Sequence, residues 1–295
     1  MAYQGFKFGD DLPSYSQKLT FAGLNSLTID SDYDVNVKFI NSPDGTDYID
    51  VSGNMEKETI NKLKNADTSA KNFTLDLTRK SKWSFLQLNF QSNEQQITVA
   101  LADPAKLEQF TTKLGSNNGT FSELNAGNIN ISGTSGNLNT SSVTAKQIII
   151  KTTSGNITAN DMKGDTEIKL TSGNIKVTNL DGSATLLTTS GNIKAENVKG
   201  SADVSLVSGD IKFDNFIGNG TFKSTSGNIT LNNQRSDSLD ITAHSGNVNL
   251  SADPEFKGIY DLRATSGNIQ SPDSPMKTKD VIKIRVTCGN IKIKN

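Results

Sequence analysis

From residue 121 onward the chain repeats one short pattern of apolar and polar positions. The unit Ser172 to Thr189 shows it: Gly173 and Asn174 open a turn, and Ile175, Val177 and Leu180 then alternate with Lys176 and Thr178. Asp181-Gly182 makes a second turn, and Ala184, Leu186 and Thr188 alternate with Thr185, Leu187 and Thr189. Alternation of period two marks a half-buried strand, and Gly and Asn are the residues that reach positive φ in sharp turns. Each unit therefore predicts two strands and two turns, which close one coil.

The unit recurs with its glycine at Gly136, Gly155, Gly173, Gly191, Gly209, Gly227, Gly246, Gly267 and Gly289, and Ala126-Gly127-Asn128-Ile129 is a forerunner. Successive spacings are 19, 18, 18, 18, 18, 19, 21 and 22 residues, so coils of about 18 residues loosen towards the C-terminus through the inserts Asp253-Pro254-Glu255 and Ser271-Pro272-Asp273-Ser274-Pro275. Stacking the units produces columns. Two residues after the glycine stand Leu138, Ile157, Ile175, Ile193, Ile211, Ile229, Val248, Ile269 and Ile291, and five before it stand Ile150, Ile168, Leu186, Val204, Phe222, Ile241, Leu262 and Ile284. Asn follows the glycine from Asn137 to Asn290 with only Asp210 departing, which predicts an asparagine ladder. A second turn column holds Gly164, Gly182, Gly200 and Gly218. One coil buries too few apolar side chains to offset the ordering of its own backbone, so the coils must stack. The expectation is an all-β fold, a single-stranded, right-handed parallel β-solenoid of about 18-residue two-strand coils over 121–295.

Residues 1–120 lack the period and are expected to form a strand-rich N-terminal cap. Leu27 and Ile29, then Val35, Val37 and Phe39, then Phe73, Leu75 and Leu77, then Phe85, Ile97, Val99 and Leu101 alternate with polar residues. With Ser42-Pro43-Asp44-Gly45 between segments, this part reads as antiparallel strands and hairpins. Ile60 and Leu63 stand at helical spacing within Met55 to Asn65 and predict one short helix, and the lone Trp83 joins the many Phe of the cap. At the other end Lys292 and Lys294 on the last strand read as charges that discourage edge pairing.

The chain has 295 residues with 30 Lys plus Arg against 31 Asp plus Glu. A net charge of -1 lacks the positive excess that a phosphate backbone demands, so no nucleic-acid partner is expected. No run approaches the roughly 20 apolar residues of a membrane span, and the start Met1 to Lys7 has no signal-peptide core. The protein is then either cytoplasmic or tied to a membrane only through an anchor outside this chain. Cys288 is alone and makes no intramolecular disulfide.

The run of Ser-Gly-Asn-Ile turns at 18-residue spacing, entered from a strand-rich segment, resembles the bacterial putative-adhesin family of β-strand repeat proteins of unknown function, the toast-rack type. The resemblance is strong over 121–295 and weak before it. It implies an envelope-associated bacterial protein, on the cell surface or the extracellular face, and some members look placed beside membrane-stress regulators. It brings no catalytic motif.

Function is then sought on the outward columns. Thr134, Thr153, Thr171, Thr189, Thr225, Thr265 and Thr287 form a rank broken by Val207 and His244. Ice binding is disfavoured there, because Lys151, Lys169, Lys223, Arg263 and Arg285 share that face with Glu167, Asp203, Asp240 and Asp261. The charged columns read as cross-rung ion pairs, with Glu167 near Lys169 and Asp261 near Arg263. On the other face Lys176, Lys194 and Lys212 stack on consecutive rungs, roughly 4.8 Å apart. They are either a solvated edge, eased by Glu196 and Asp214, or a shallow ligand-binding strip for an anionic envelope polymer such as teichoic acid or an acidic polysaccharide. His244 has no partnered nucleophile, and Cys288 reads as a small inward residue. Turns of Ser-Gly-Asn are not the Gly-Gly-x-Gly-x-Asp turns of a calcium β-roll. Asp203, Asp240 and Asp261 share a column without a cleft-forming loop, which leaves a polysaccharide-degrading enzyme as a lesser alternative. The reading is a non-enzymatic surface interaction module with no catalytic residue, metal or cofactor. The alternative is a scaffold for a protein partner of a membrane-stress system, bound at the coils after Gly246 or at the cap.

Overall fold

The computed structural model describes residues 12–79 and 94–294; Trp83 and Phe85 lie outside them. All described strands join one continuous hydrogen-bonded sheet, wound into a β-solenoid of about ten turns. Each regular coil gives one strand to each of two faces, as Ile175–Asp181 and Ala184–Ser190 do. Parallel pairing at an offset of 18 residues brings Ile175, Ile193, Ile211 and Ile229 into register on one face, and Ile168, Leu186, Val204 and Phe222 on the other. These side chains are 0–1% exposed and belong to a single core running from Leu19 to Ile293. Phe213, Phe216 and Phe222 pack edge-on with centroids 5.0–5.8 Å apart. The neighbouring Ala195, Ala202 and Gly220 make room for them, and a Cβ at Gly220 would meet the Phe222 ring.

The turns explain the word that repeats. Gly173 has φ +128, and a Cβ there would drive into the carbonyl oxygen of Gly155 one rung away, so only glycine allows the rungs to approach. The following Asn174 accepts from the Asn192 backbone at 2.9 Å and from its Nδ2 at 3.2 Å, and itself donates to Asn156. Asp210 keeps the acceptor, taking bonds from Asn228 N and Nδ2. The ladder starts earlier than the Ser-Gly-Asn turns do, with Asn137 N donating to Asn118 and Asn118 N to Asp34.

A second ladder was not apparent from the repeat. Asp161, Asn179, Asn197, Asn215 and Asn233 all have φ between 50 and 59, and each Asn Nδ2 donates to the residue before it in the column, at 2.8–3.3 Å. This left-handed residue interrupts the period-two alternation. It is why Leu180, three positions after Val177, turns inward and is buried.

The N-terminal part differs from the hairpin expectation. Ser26–Ser31 pairs in parallel with Asn72–Leu77 and Gln109–Leu114, and Val35–Asn41 pairs in parallel with Gln95–Leu101 and Gly119–Ser122. Residues 26–41 are thus a coil of the same stack, and Gly119–Ser122 continues it onto Leu138–Ser154. The strands flanking Ser42-Pro43-Asp44-Gly45 do not form a hairpin, because Gln95–Leu101 lies between them. Among the described residues antiparallel pairing is confined to Ser14–Phe21, Asp47–Asn54 and Gln95–Leu101. The expected helix α1 spans Lys57–Lys64, buries Thr59, Ile60 and Leu63, and packs against Asn72–Leu77. It covers apolar side chains where the stack ends, as an open solenoid end requires.

The C-terminal rungs are out of chain order. Val281–Cys288 pairs on one side with Ser238–Ser245 and on the other with Ile259–Ser266, and Ile291–Lys294 lies between Val248–Ser251 and Ile269–Gln270. The last coil in sequence is therefore the penultimate rung in space. Lys292 sits on a strand paired on both sides rather than on a free edge, which corrects the edge-charge reading. The asparagine ladder follows the spatial order, Asn228 to Asn247 to Asn290 to Asn268. Among the described residues no helix is long and apolar enough to cross a membrane.

Candidate functional site: a lysine strip on one face

Parallel register places Lys176, Lys194 and Lys212 directly beside one another. The flanking Ile and Val, Ala or Phe side chains point into the core, so the alternation forces each lysine outward, and all three are exposed. The column continues as Thr158 on one side and Thr230 on the other. Like charges on adjacent rungs repel, and the structure relieves only one end of the strip: Lys212 Nζ is 3.2 Å from Asp214 Oδ2. Asp214 is partly buried, which raises its pKa, but hydrogen bonds from Asn232 and Lys212 and the charges of Lys212 and Lys194 outweigh that and hold its carboxyl below the ordinary range. Among the described residues Lys176 and Lys194 are in no ion pair, and neither is Glu196. Two cations outside any ion pair and a third held by Asp214 thus stand at the rung spacing on a rigid backbone.

On the opposite face three carboxylates are held in ion pairs, while Lys223 and Arg263 are in none among the described residues. Glu167 Oε1 bridges two rungs, 2.9 Å from both Lys151 and Lys169, and their hydrogen bonds hold its carboxyl below the usual Glu value. Lys283 Nζ lies 3.0 Å from Asp240, and Arg285 pairs with Asp261. The expected Asp261–Arg263 pair is replaced because the 281–294 rung lies against Asp261. Lys283 also stands between Asp240 and Asp261 in register, so these two carboxylates do not act as a pair. His244 is exposed at an outward position. Cys288 is exposed as well, contrary to the inward reading: Val286 fills the inward place, and Cys288 follows the exposed turn serines such as Ser190 and Ser245.

A recess of about 590 Å³ lies elsewhere, at the corner lined by Lys38, Phe39, Glu123, Ser142, Asp161 and Lys163. No part of the lysine strip borders it. Among the described residues no group of three or more His, Cys, Asp or Glu is placed to hold a metal.

A family model described as Toastrack DUF4097 matches residues 24–212 and 198–294. This chain belongs to that family. The toastrack match includes the coil 26–41 that lacks the Ser-Gly-Asn turn, in agreement with its parallel pairing. Among solved structures, a putative lipid binding protein from Parabacteroides distasonis ATCC 8503 aligns with TM-score 0.46 and 16% identity over 96% of this chain and 97% of that one. A putative adhesin from Bacteroides fragilis NCTC 9343 aligns with TM-score 0.35 and 16% identity over 95% and 97%. A putative cell adhesion protein from Clostridium sporogenes ATCC 15579 aligns with TM-score 0.27 and 11% identity over 96% and 99%. No curated protein matches.

Proposed function

We propose that this toastrack chain is a non-enzymatic interaction module of a bacterial envelope, and that its lysine face binds an anionic polymer of repeating charge. The observation that carries the reading is the register of Lys176, Lys194 and Lys212 side by side on consecutive rungs of one rigid face. A polyanion gains little from any one exposed lysine. Several contacts made together on one rigid strip add as linked binding events, and the second and third contacts then carry the affinity. A flat, exposed strip suits an extended polymer rather than a small substrate, which needs a concave site.

The test is binding of the purified chain to teichoic acid and to an acidic polysaccharide, beside a neutral glycan, across a salt titration. Wild type should bind the anionic polymers with an affinity that falls as salt rises, and Lys176→Glu/Lys194→Glu/Lys212→Glu should abolish it. Equal binding by both forms would remove the strip from the mechanism, and no binding by either would favour a protein partner.

A further inference from the structure

The threaded C-terminal rung defines a slot. One wall is the coil 238–251 and the other is the coil 259–270, and the chain's own residues 281–294 fill the space with strand hydrogen bonding on both sides. The fit is specific on three counts. Ile282, Ile284, Val286, Ile291 and Ile293 are 0–3% exposed there, Lys283 stands between Asp240 and Asp261, and Asn290 joins the ladder between Asn247 and Asn268. Chain order would instead stack Asp240 beside Asp261 and leave the more apolar rung at the open end. In the observed order the open end is the 259–270 rung, where Ile269 is 44% exposed although every other residue of its column is buried.

Residues 271–280 connect the wall to the inserted rung. Bonds from Tyr260 N to Ser274 Oγ, from Met276 N to Gly258 O and from Lys277 N to Lys257 O tether this loop. Met276 is exposed and held at φ 53, a left-handed conformation disfavoured for its side chain. Extended, ten residues reach roughly 33 Å, enough to carry the terminal rung away from its own slot.

We propose that this slot is a strand-acceptor site, and that residues 281–294 of a second copy can occupy it in place of the chain's own. The exchanged rung makes the same apolar, ionic and ladder contacts in the second copy, while the loop relaxes, so reciprocal exchange joins two molecules at their C-terminal ends. Such a dimer would carry two lysine faces on one particle.

The intact chain tests this through its single cysteine. Ser245 and Cys288 are register partners across the slot wall, and neighbouring strands roughly 4.8 Å apart fall within the Cα separation a disulfide spans. Ser245→Cys is unfolded in denaturant, refolded over a range of protein concentrations and treated with a mild oxidant, and the linked peptides are identified by mass. The expected result is a 245–288 link within one chain at low concentration. At high concentration the same link should join two chains in a growing fraction that survives dilution. A 245–288 link confined to monomers at every concentration, or dimers joined only 288 to 288, would overturn the proposal.

Discussion

Ile211, Ile269 and Ile291 occupy the same place in the repeat, two residues after the turn glycine, yet their exposures are 1%, 44% and 1%. Replacing each with Ala removes the same atoms. For Ile211 and Ile291 the loss is a fully buried side chain flanked by rungs on both sides, which costs the transfer energy plus an unfilled cavity, about 2–5 kcal/mol. Ile269 lies on the outermost rung with nearly half its surface in water and one side open. Its truncation forfeits about half the transfer term and leaves no closed cavity, so about 1 kcal/mol is expected. The assay is urea unfolding followed by circular dichroism, with the shift in midpoint compared at constant slope. A stack in chain order would expose Ile291 and bury Ile269, reversing the ranking. If Ile269→Ala destabilises as much as or more than Ile291→Ala, the threaded order is wrong.

Other consequences follow from the turns, the ion pairs and the thiol. Gly191→Ala should destabilise by about 1–3 kcal/mol from backbone conformation alone, with a collision against the Gly173 carbonyl added, whereas Gly23→Ala, where nothing lies within 4 Å, should change stability by less than about 1 kcal/mol in thermal melts. The Glu167 carboxyl is held low in the folded state by Lys151 and Lys169, so its contribution is complete above the usual Glu value of 4.5 and is lost as pH falls through the lower folded value. Glu167→Gln should therefore cost about 0.5–1 kcal/mol at pH 7, and the difference from wild type should vanish in strong acid. Cys288, being exposed, should react with a thiol reagent in the native protein at a rate near that of the unfolded chain, and protection until unfolding would contradict its placement.

Most of the coil was readable before the structure because each feature had one physical cause repeated at one spacing. The Ile columns follow from alternation, and the turn glycines from the close approach of successive rungs. The Asn179 column was hidden because an Asn between strands reads as ordinary loop composition, and only its left-handed φ and ladder bonds reveal it. The coil 26–41 was missed because it lacks the Ser-Gly-Asn turn: Asp34 and Asn118 continue the ladder without it. The C-terminal order could not be read, since the 259–270 and 281–294 coils carry the same inward pattern and both fit either place. Long-range factors decide between them, chiefly the position of Lys283 between two aspartates and the burial of the more apolar rung. The lysine strip was legible from the 18-residue register, but the part played by Asp214 at one end of it was only loosely foreseen.

The most direct measurement is lysine footprinting, in which acetylation of each lysine is quantified by mass spectrometry with and without teichoic acid. The account predicts protection of Lys176, Lys194 and Lys212, with Lys151, Lys169 and Lys223 on the other face labelled as in the free protein. Protection spread evenly over both faces, or concentrated on the Lys151 face, would contradict it.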